Sequence, residues 1–468
     1  MFRMKKPLLL PLAALLLAGC ATFHNRPLDP LKTARQFEAR SLQSGGLERF
    51  IEKNLKRKVS PWPPGTWDLK MLTLAAFYYN PEMDVARAKW LASQARIITA
   101  GGLPNPAARF IPQYHANPMG LPPWTLTFDL AIPIETAGRR GYRIARARHL
   151  SRAVEMQMAM TAWNVRSRLR RDLLSFYGAS QKETLLAAQR KLLEEIVGLY
   201  ESRLAEGFVS RFALTSSTVA LDKTIFAQSE AKKEEALAKA RLAGALGLPD
   251  GALKGTDISF AGFKEVNASL YRPYMRRQAL LGRADIHAGL EQYAAAQSSL
   301  QLEIAKQYPD LNLGPGYAWD QGDNEWSLGV FLTLPVLNQN RGPVAEARAR
   351  RRQARDEFIS LQDRVIRDMD VAFAGYKESL DGLRAAGSLL KGLSRNLKAV
   401  QARFKMGDAS SLDVDEARRE LILARLSRLD ALIAAQQSVG QLEDALQRPL
   451  NNFDSFPQKA AAEDGMQR

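Results

Sequence analysis

The residues of this 468-residue chain that could carry out chemistry are few and scattered. The four histidines, His24, His115, His149 and His287, lie far apart, and none stands at metal-ligand spacing. Gly314-Pro315-Gly316 lacks the lysine and the helix start of a phosphate loop and reads as strand curvature. No Gly-x-Ser-x-Gly elbow occurs. The chain therefore reads as a non-enzyme with no cofactor and no metal site. One constellation remains. In "SLDVDEARR", Asp413 and Glu416 stand three apart, which puts them on one side of a helix, with Asp415 off that side. Carboxylates so placed either gather cations or stabilise the positive end of a helix.

The single cysteine needs its own explanation, because an odd thiol in an exported chain has no internal partner. It ends a leader. "MFRMKK" is a positive n-region, and "PLLLPLAALLLAGC" is an apolar run too short to span a bilayer. Leu17-Ala18-Gly19-Cys20 is similar to the bacterial lipobox, in which the cysteine is lipidated and becomes the first mature residue. Cys20 is thus the expected lipidation site, residues 1–19 the signal peptide, and Ala21 in place of aspartate points to the outer membrane.

The rest of the composition excludes more than it selects. With 46% hydrophobic and 25% charged residues, the chain is not globally disordered. Loss of Arg3, Lys5 and Lys6 with the leader lowers the formal charge from +17 to +14. The basic residues are interspersed with acids along helical stretches, which reads as a solvated surface and not as a nucleic-acid patch. Past the leader, every apolar stretch is broken by charge before the roughly 20 residues of a membrane helix. A membrane crossing would have to be a closed β-barrel.

The elements that position these residues occur twice. "NPAARFIPQY" (105–114) aligns with "YPDLNLGPGY" (308–317) at a shift of 203, and "WTLTFDLAIPIE" with "WSLGVFLTLPVL" at 202. The second alignment puts Trp124 on Trp326, Leu130 on Leu332 and Arg139 on Arg341. At a shift of 200, Gly207 falls on Gly407, Ser210 on Ser410 and Pro249 on Pro449. The register drifts by three residues across the whole unit, so the chain is two copies of one unit, 75–250 and 278–450. Segments 20–74 and 251–277 flank and join them, and 451–468 forms a tail. Each copy reads as a helix, two strands (within 107–134 and 309–337), a very long helix, a Gly-Ser turn and a helical return. From Gly141 to Leu204 no proline interrupts a helical pattern carried by Leu169, Leu173, Phe176, Leu192, Ile196 and Leu199. Arg166, Arg170, Glu194 and Glu195 are expected on its solvated faces.

The strands alternate. Trp124, Leu126, Phe128, Leu130 and Ile132 share one face, against Thr125, Thr127, Asp129 and Ala131. Trp326, Leu328, Val330, Leu332 and Leu334 share another, against Ser327, Gly329, Phe331 and Thr333. Each run has the length of a tilted membrane strand, with Tyr114, Trp124, Tyr317, Trp319 and Trp326 near its ends. A soluble sandwich strand would alternate in the same way. If the apolar face meets lipid, Thr127, Asp129 and Thr333 face water, and four strands cannot close a barrel alone. Several copies must then share one.

The leader, the doubled helix–hairpin–helix unit, "LGVFLTLPVLNQNRG", the following "AEARARR" and the turns "RLAEGFVS" and "RFKMGDASSLDV" resemble the TolC-like outer-membrane efflux proteins. The resemblance covers nearly the whole mature chain. It implies a mainly α fold with a membrane β portion: a homotrimer with a shared twelve-stranded barrel in outer-membrane lipid and an α-barrel of long coiled-coil helices in the periplasm. An equatorial domain from segments 20–74, 251–277 and the C-terminus would ring its middle. It implies an exit duct for a periplasmic adaptor (membrane fusion) protein and an inner-membrane pump. The turns at Gly207, Ser210, Gly407 and Ser410 would contact the adaptor, and Asp413 and Glu416 would form acidic rings at a periplasmic gate. Phe208 and Arg211 depart from the smaller or acidic residues usual at the first turn, which bears on adaptor choice. Two other readings stand beside it: a type I protein-secretion duct, and a structural periplasmic coiled-coil lipoprotein, which would need no amphipathic hairpins.

Overall fold

A computed structural model of the chain describes residues 22–117, 119–266 and 272–450. Cys20, the leader and the tail after residue 450 lie outside the described residues. The chain runs through α1 (Pro30–Glu38), α2 (Gly45–Leu55), α3 (Leu69–Tyr79) and α4 (Pro81–Gly101) into β1 (Ala107–Tyr114) and β2 (Trp124–Ile134). Then come α5 (Arg139–Ala205) and α6 (Arg211–Leu246). After two short 3-10 turns, α7 (Arg272–Gly282) and α8 (Ala284–Ala305) lead into β3 (Leu311–Asp320), β4 (Asp323–Leu332), α9 (Arg341–Lys405) and α10 (Ser411–Leu446).

The duplication is close in length. The returns α6 and α10 have 36 residues each, and the long helices α5 and α9 have 67 and 65. At 1.5 Å per residue each long helix is a rod of about 100 Å. A helix this long is held by its neighbours more than by its own propensity. Leu169, Leu173 and Leu174 of α5 are fully buried against Leu242 and Leu246 of α6 and against residues of α2 and α3 such as Ile51, Leu72 and Phe77. Each such leucine contributes roughly 1.5–3 kcal/mol of transfer free energy. A second core joins α7, α8, α9 and α10 through Met275, Ile286, Val365, Met369, Tyr376 and Leu442.

Segments outside the repeats belt the helices at this level. Trp67 is buried and makes a parallel bridge with Ile258: its N–H donates to the Asp257 carbonyl at 2.9 Å, and the Ser259 N–H donates to the Trp67 carbonyl at 2.8 Å. The N-terminal segment and the inter-repeat segment are thus one structural unit, although 191 residues separate Trp67 from Ile258.

The returning helices end where the short helices begin. The α6 C-terminus closes on Gly247 at φ +73°, and a Cβ there would stand 2.6 Å from the Tyr79 carbonyl oxygen. Arg40 donates from one Nη to the carbonyls of both Tyr79 and Gly247, at 2.8 Å each, and Asn80 donates to Ala245. In the second repeat Arg283 donates to the Ala445 carbonyl and the Gln447 side chain receives the Ala284 N–H. Hence α6 is continued by α4 and α10 by α8.

One expectation fails here. Arg166 and Arg170 are not on solvated faces; both are buried, with Glu443 of α10 at 3.0 and 3.3 Å. Arg170 also donates to the carbonyl and side chain of Gln436. The acid that makes this burial tolerable comes from the other repeat, 277 residues from Arg166, so no local pattern announces it. Glu194 and Glu195 are exposed, as expected.

Candidate functional site

The sheet positions the first group of candidate residues. Its order is β1-β2-β3-β4, antiparallel throughout. The register aligns the alternating patterns of all four strands. Phe110 stands opposite Phe128, Phe128 opposite Tyr317 and Tyr317 opposite Trp326, a continuous aromatic row on one face. Trp124, Leu126, Leu130, Leu328, Val330 and Leu332 share that face. The next row, Arg109, Asp129, Gly316 and Ser327, lies on the other face. There Arg109 Nε bonds Asp129 at 3.1 Å. A Cβ at Gly316 would stand 2.8 Å from the Asp129 carboxylate, so this glycine makes room for the charge. At the strand tips Thr125 connects His115 and Asp320, again on the polar face. The result is one face that is apolar except for Asn324 at the tip of β4, which accepts from the Tyr317 hydroxyl at 2.6 Å, and one largely polar face, with Phe331 the main exception; its ring covers Gly314 and Gly329.

One boundary differs from the sequence reading. β2 runs through Ile134, within the expected 107–134, with Pro133 opposite Asn312. In contrast, β4 stops at Leu332, leaving Thr333 and Leu334 outside it, because its neighbour β3 begins at Leu311, directly opposite.

The tips position the second group. Gly207 (φ +80°) and Gly407 (φ +84°) adopt the left-handed conformation that lets each helix pair reverse. Ser210 and Ser410 cap the returning helices, accepting from the Ala213 and Asp413 N–H groups. Phe208 and Phe212 are 77% and 82% exposed at the first tip, and Phe404 and Met406 are exposed at the second. The acids sit just above. Asp413 completes a capping box: its carboxylate accepts from the Ser410 N–H at 2.7 Å and the Ser410 hydroxyl at 2.8 Å. These bonds, the backbone one first, hold its carboxyl below the usual value. Glu416 accepts two bonds from Arg419, at 3.0 and 2.5 Å, a third going from Arg419 to Glu420, and Asp415 is buried against Arg418 at 2.9 Å. The helix-end role of Asp413 is therefore visible in one chain, while a ring of carboxylates would need further copies. Among the described residues no group of three or more His, Cys, Asp or Glu could hold a metal ion. No helix there is long and apolar enough to cross a membrane.

The helices stand in an open row. Column α6/α4 packs on α5, α5 on column α10/α8, and that column on α9. The sheet has the same order, since α4 leads to β1, β2 to α5, α8 to β3 and β4 to α9. Both ends of the row carry exposed apolar side chains: Val85, Ile98 and Phe226 on α4 and α6, and Ile359, Val371 and Leu389 on α9.

Comparison with known proteins agrees with this geometry. The family model described as "Outer membrane efflux protein" matches residues 275–447, nearly the whole second repeat. The cobalt-zinc-cadmium resistance protein CzcC of Cupriavidus metallidurans is 24% identical over 379 residues, covering 79% of this chain and 87% of that protein. The outer membrane protein VceC of Vibrio cholerae superposes with a TM-score of 0.66 at 18% identity, over 82% of this chain and 97% of that one. The open state of the MtrE outer membrane channel of Neisseria gonorrhoeae gives 0.65 at 17%, over 82% and 89%.

Proposed function

We infer that this chain is an outer-membrane efflux channel and that three copies of it close into one exit duct of a tripartite efflux system. The observation that carries this is the open row. A sheet of four strands and a row of helices end at the same two elements on each side, so a copy that extends one extends the other. An unpaired strand edge cannot remain in lipid, and four strands are fewer than the eight of the smallest known membrane barrels. Three copies supply twelve. The apolar face of the sheet then meets lipid through Trp124, Leu126, Phe128, Leu130, Trp326, Leu328, Val330 and Leu332, and the Arg109–Asp129 face lines the lumen. The helical rods, about 100 Å long, extend from the membrane into the periplasm.

The finer assignments follow. Cys20 carries the lipid that anchors the mature N-terminus in the outer membrane. The tip turns at Gly207–Ser210 and Gly407–Ser410 receive the periplasmic adaptor, which joins the duct to an inner-membrane pump. Asp413 and Glu416 of three copies surround the periplasmic opening, and one carboxylate can cap its own helix and still contribute negative potential there. The metals that name the CzcC relative are the first substrates to try.

The test is the assembled protein. The purified, detergent-extracted chain should run as a heat-modifiable trimer and conduct ions in a planar bilayer; a monomer with no conductance removes the reading. A strain lacking the protein should become more sensitive to cobalt, zinc or cadmium if it exports them, and unchanged sensitivity to all three would exclude these metals.

A further inference from the structure

Resting on the reading of the sheet as part of a membrane barrel, we propose that α5 and α9 carry an arginine collar on their outer face, just below the sheet. The collar binds the phosphodiester headgroups of anionic phospholipids in the leaflet nearer the helices. Arg148, Arg348, Arg351 and Arg352 are its core.

The collar shows first as an imbalance of charge. The whole chain has 66 basic and 49 acidic residues. The opening stretches of the two long helices, 139–152 and 341–355, hold twelve arginines and a single acid, Glu346. Each stretch begins within nine residues of the end of a strand. At the opposite end of the sheet the balance reverses. The loop 115–123 and the turn 320–325 contain Asp320, Asp323 and Glu325 and no lysine or arginine. One end of the sheet is thus acidic and the other strongly basic, which suits a barrel whose helical end alone meets anionic headgroups.

Several of these arginines are already engaged by the fold. Arg139 bonds Asp310 and the Tyr308 carbonyl, Arg140 donates to the Gly101 carbonyl at 2.7 Å, and Arg143 bonds Glu135. Arg350 bonds Glu346, and Arg152 and Arg355 lie 3.8 Å from Glu291 and Asp356. Arg148, Arg348, Arg351 and Arg352 differ. All four are exposed, and among the described residues none of them has a hydrogen bond or an ion pair. Like charges without acids repel, so an anion among them is stabilising. The planar guanidinium fork matches the oxygens of a phosphate two at a time.

The four side chains lie on the side that lipid can reach. Long packed helices supercoil, so residues three heptads apart share a face. Three heptads below Arg148 stands Leu169, buried with residues of α2 and α3. Three heptads below Arg348, Arg351 and Arg352 stand Met369, Ala372 and Phe373, which pack in the core that contains Met275 of α7. The short helices α2, α3 and α7 belong outside a duct, because three sets of them inside would fill its lumen. The stripe is therefore apolar where the belt covers it and arginine where the belt ends. At 1.5 Å per residue the four arginines lie about 10–17 Å below the first residues of their helices. Helical side chains lean toward the helix N-terminus, which here is toward the membrane. The apolar stem of arginine then carries its charge further up. The headgroup layer adds about 5–8 Å beyond the hydrocarbon, and attraction persists over about 8 Å at physiological salt.

The experiment titrates the full-length, detergent-purified protein with phosphatidylglycerol, with zwitterionic phosphatidylcholine and with inorganic phosphate, while native mass spectrometry counts the molecules bound per assembly. The parent should hold phosphatidylglycerol about tenfold more tightly than phosphatidylcholine. A quadruple variant, Arg148→Gln, Arg348→Gln, Arg351→Gln and Arg352→Gln, should lose that preference while keeping the parental assembly mass and helix content. A control with the same change of charge on α6, Arg211→Gln, Lys223→Gln, Lys232→Gln and Lys233→Gln, should keep it. No preference in the parent, or an equal loss in the control, would overturn the collar. Inorganic phosphate bound as tightly as phosphatidylglycerol would make it a free-anion site and overturn the lipid assignment. A parent that stays monomeric and takes up neither lipid would overturn the membrane-barrel reading itself. That result is distinct from failure of the collar alone, in which a trimer binds both lipids alike.

Discussion

At the scale of single residues, Asp413 and Glu443 show two different uses of a carboxylate. Asp413 is exposed and bonded to the N–H and hydroxyl of Ser410, so its ionised form is the one the helix end stabilises. Since its folded pKa is depressed, the cap is fully present above the ordinary aspartate value and is lost as pH falls through the depressed one. Ser410→Ala should cost about 0.5–2 kcal/mol of stability, read by thermal unfolding, as removal of an N-cap does. If Asp413 and Glu416 also line an opening, the double change to Ala raises single-channel conductance and weakens block by multivalent cations, whereas Ser410→Ala does neither. Equal conductance in all three proteins would leave these acids as helix-end residues alone. Glu443 is buried between Arg166 and Arg170. Glu443→Ala should destabilise by about 3–5 kcal/mol, because removing one partner of a buried ion pair leaves the other charge in a dry site. Denaturant midpoints of the two proteins measure this.

At the scale of elements, the faces of β2 and β4 and the α6–α4 junction make the sharpest claims. If the apolar face meets lipid as proposed, arginine at Phe128 should cost about 2–4 kcal/mol in barrel stability, and arginine at Thr127, on the opposite face, should cost much less. Refolding equilibria into bilayers would show the contrast; equal costs would mean the segment is not in lipid. At the junction, the positive φ of Gly247 and the close Tyr79 carbonyl both exclude a side chain. Gly247→Ala should lower the unfolding temperature more than Gly207→Ala, where a Cβ meets no atom within 4 Å and only the positive φ opposes it. The repeat-equivalent Gln447 accepts a positive φ of 49° and uses its side chain to receive the Ala284 N–H, so the two junctions solve one problem differently.

At the scale of the whole molecule, the proposed closure ties structure to function. One copy leaves β1 and β4 unpaired on one side each and exposes apolar side chains along α4, α6 and α9. Trimerisation as proposed would bury these surfaces at once, so the membrane barrel and the helical barrel should assemble together. Val371→Glu, on exposed α9, should therefore reduce the yield of heat-modifiable trimer without altering helix content by circular dichroism. Full trimer recovery would mean that this part of α9 lies outside the contact.

The sequence by itself determined the elements and their duplication. Helical spacing in α5, strict alternation in β2 and β4, and turn glycines at 207 and 407 are local signals, because each follows from the geometry of one segment and its nearest neighbours in the chain. The family resemblance rested on those same segments, and it stands. What only the tertiary structure decided is how distant segments meet. The placing of all four apolar strand faces on one side depends on register, which no single strand specifies. The burial of Arg166 and Arg170 depends on an acid 277 residues from Arg166, and charged residues on an amphipathic helix look alike in sequence whether water or a partner carboxylate receives them. The joining of Trp67 to Ile258 leaves no periodic trace, because one bridge needs only two backbone groups. The capping box at Asp413 was half legible: serine three residues before an acid is a local signal, but the same acid spacing also suits a gate, and only the observed bonds to Ser410 show the helix end being held.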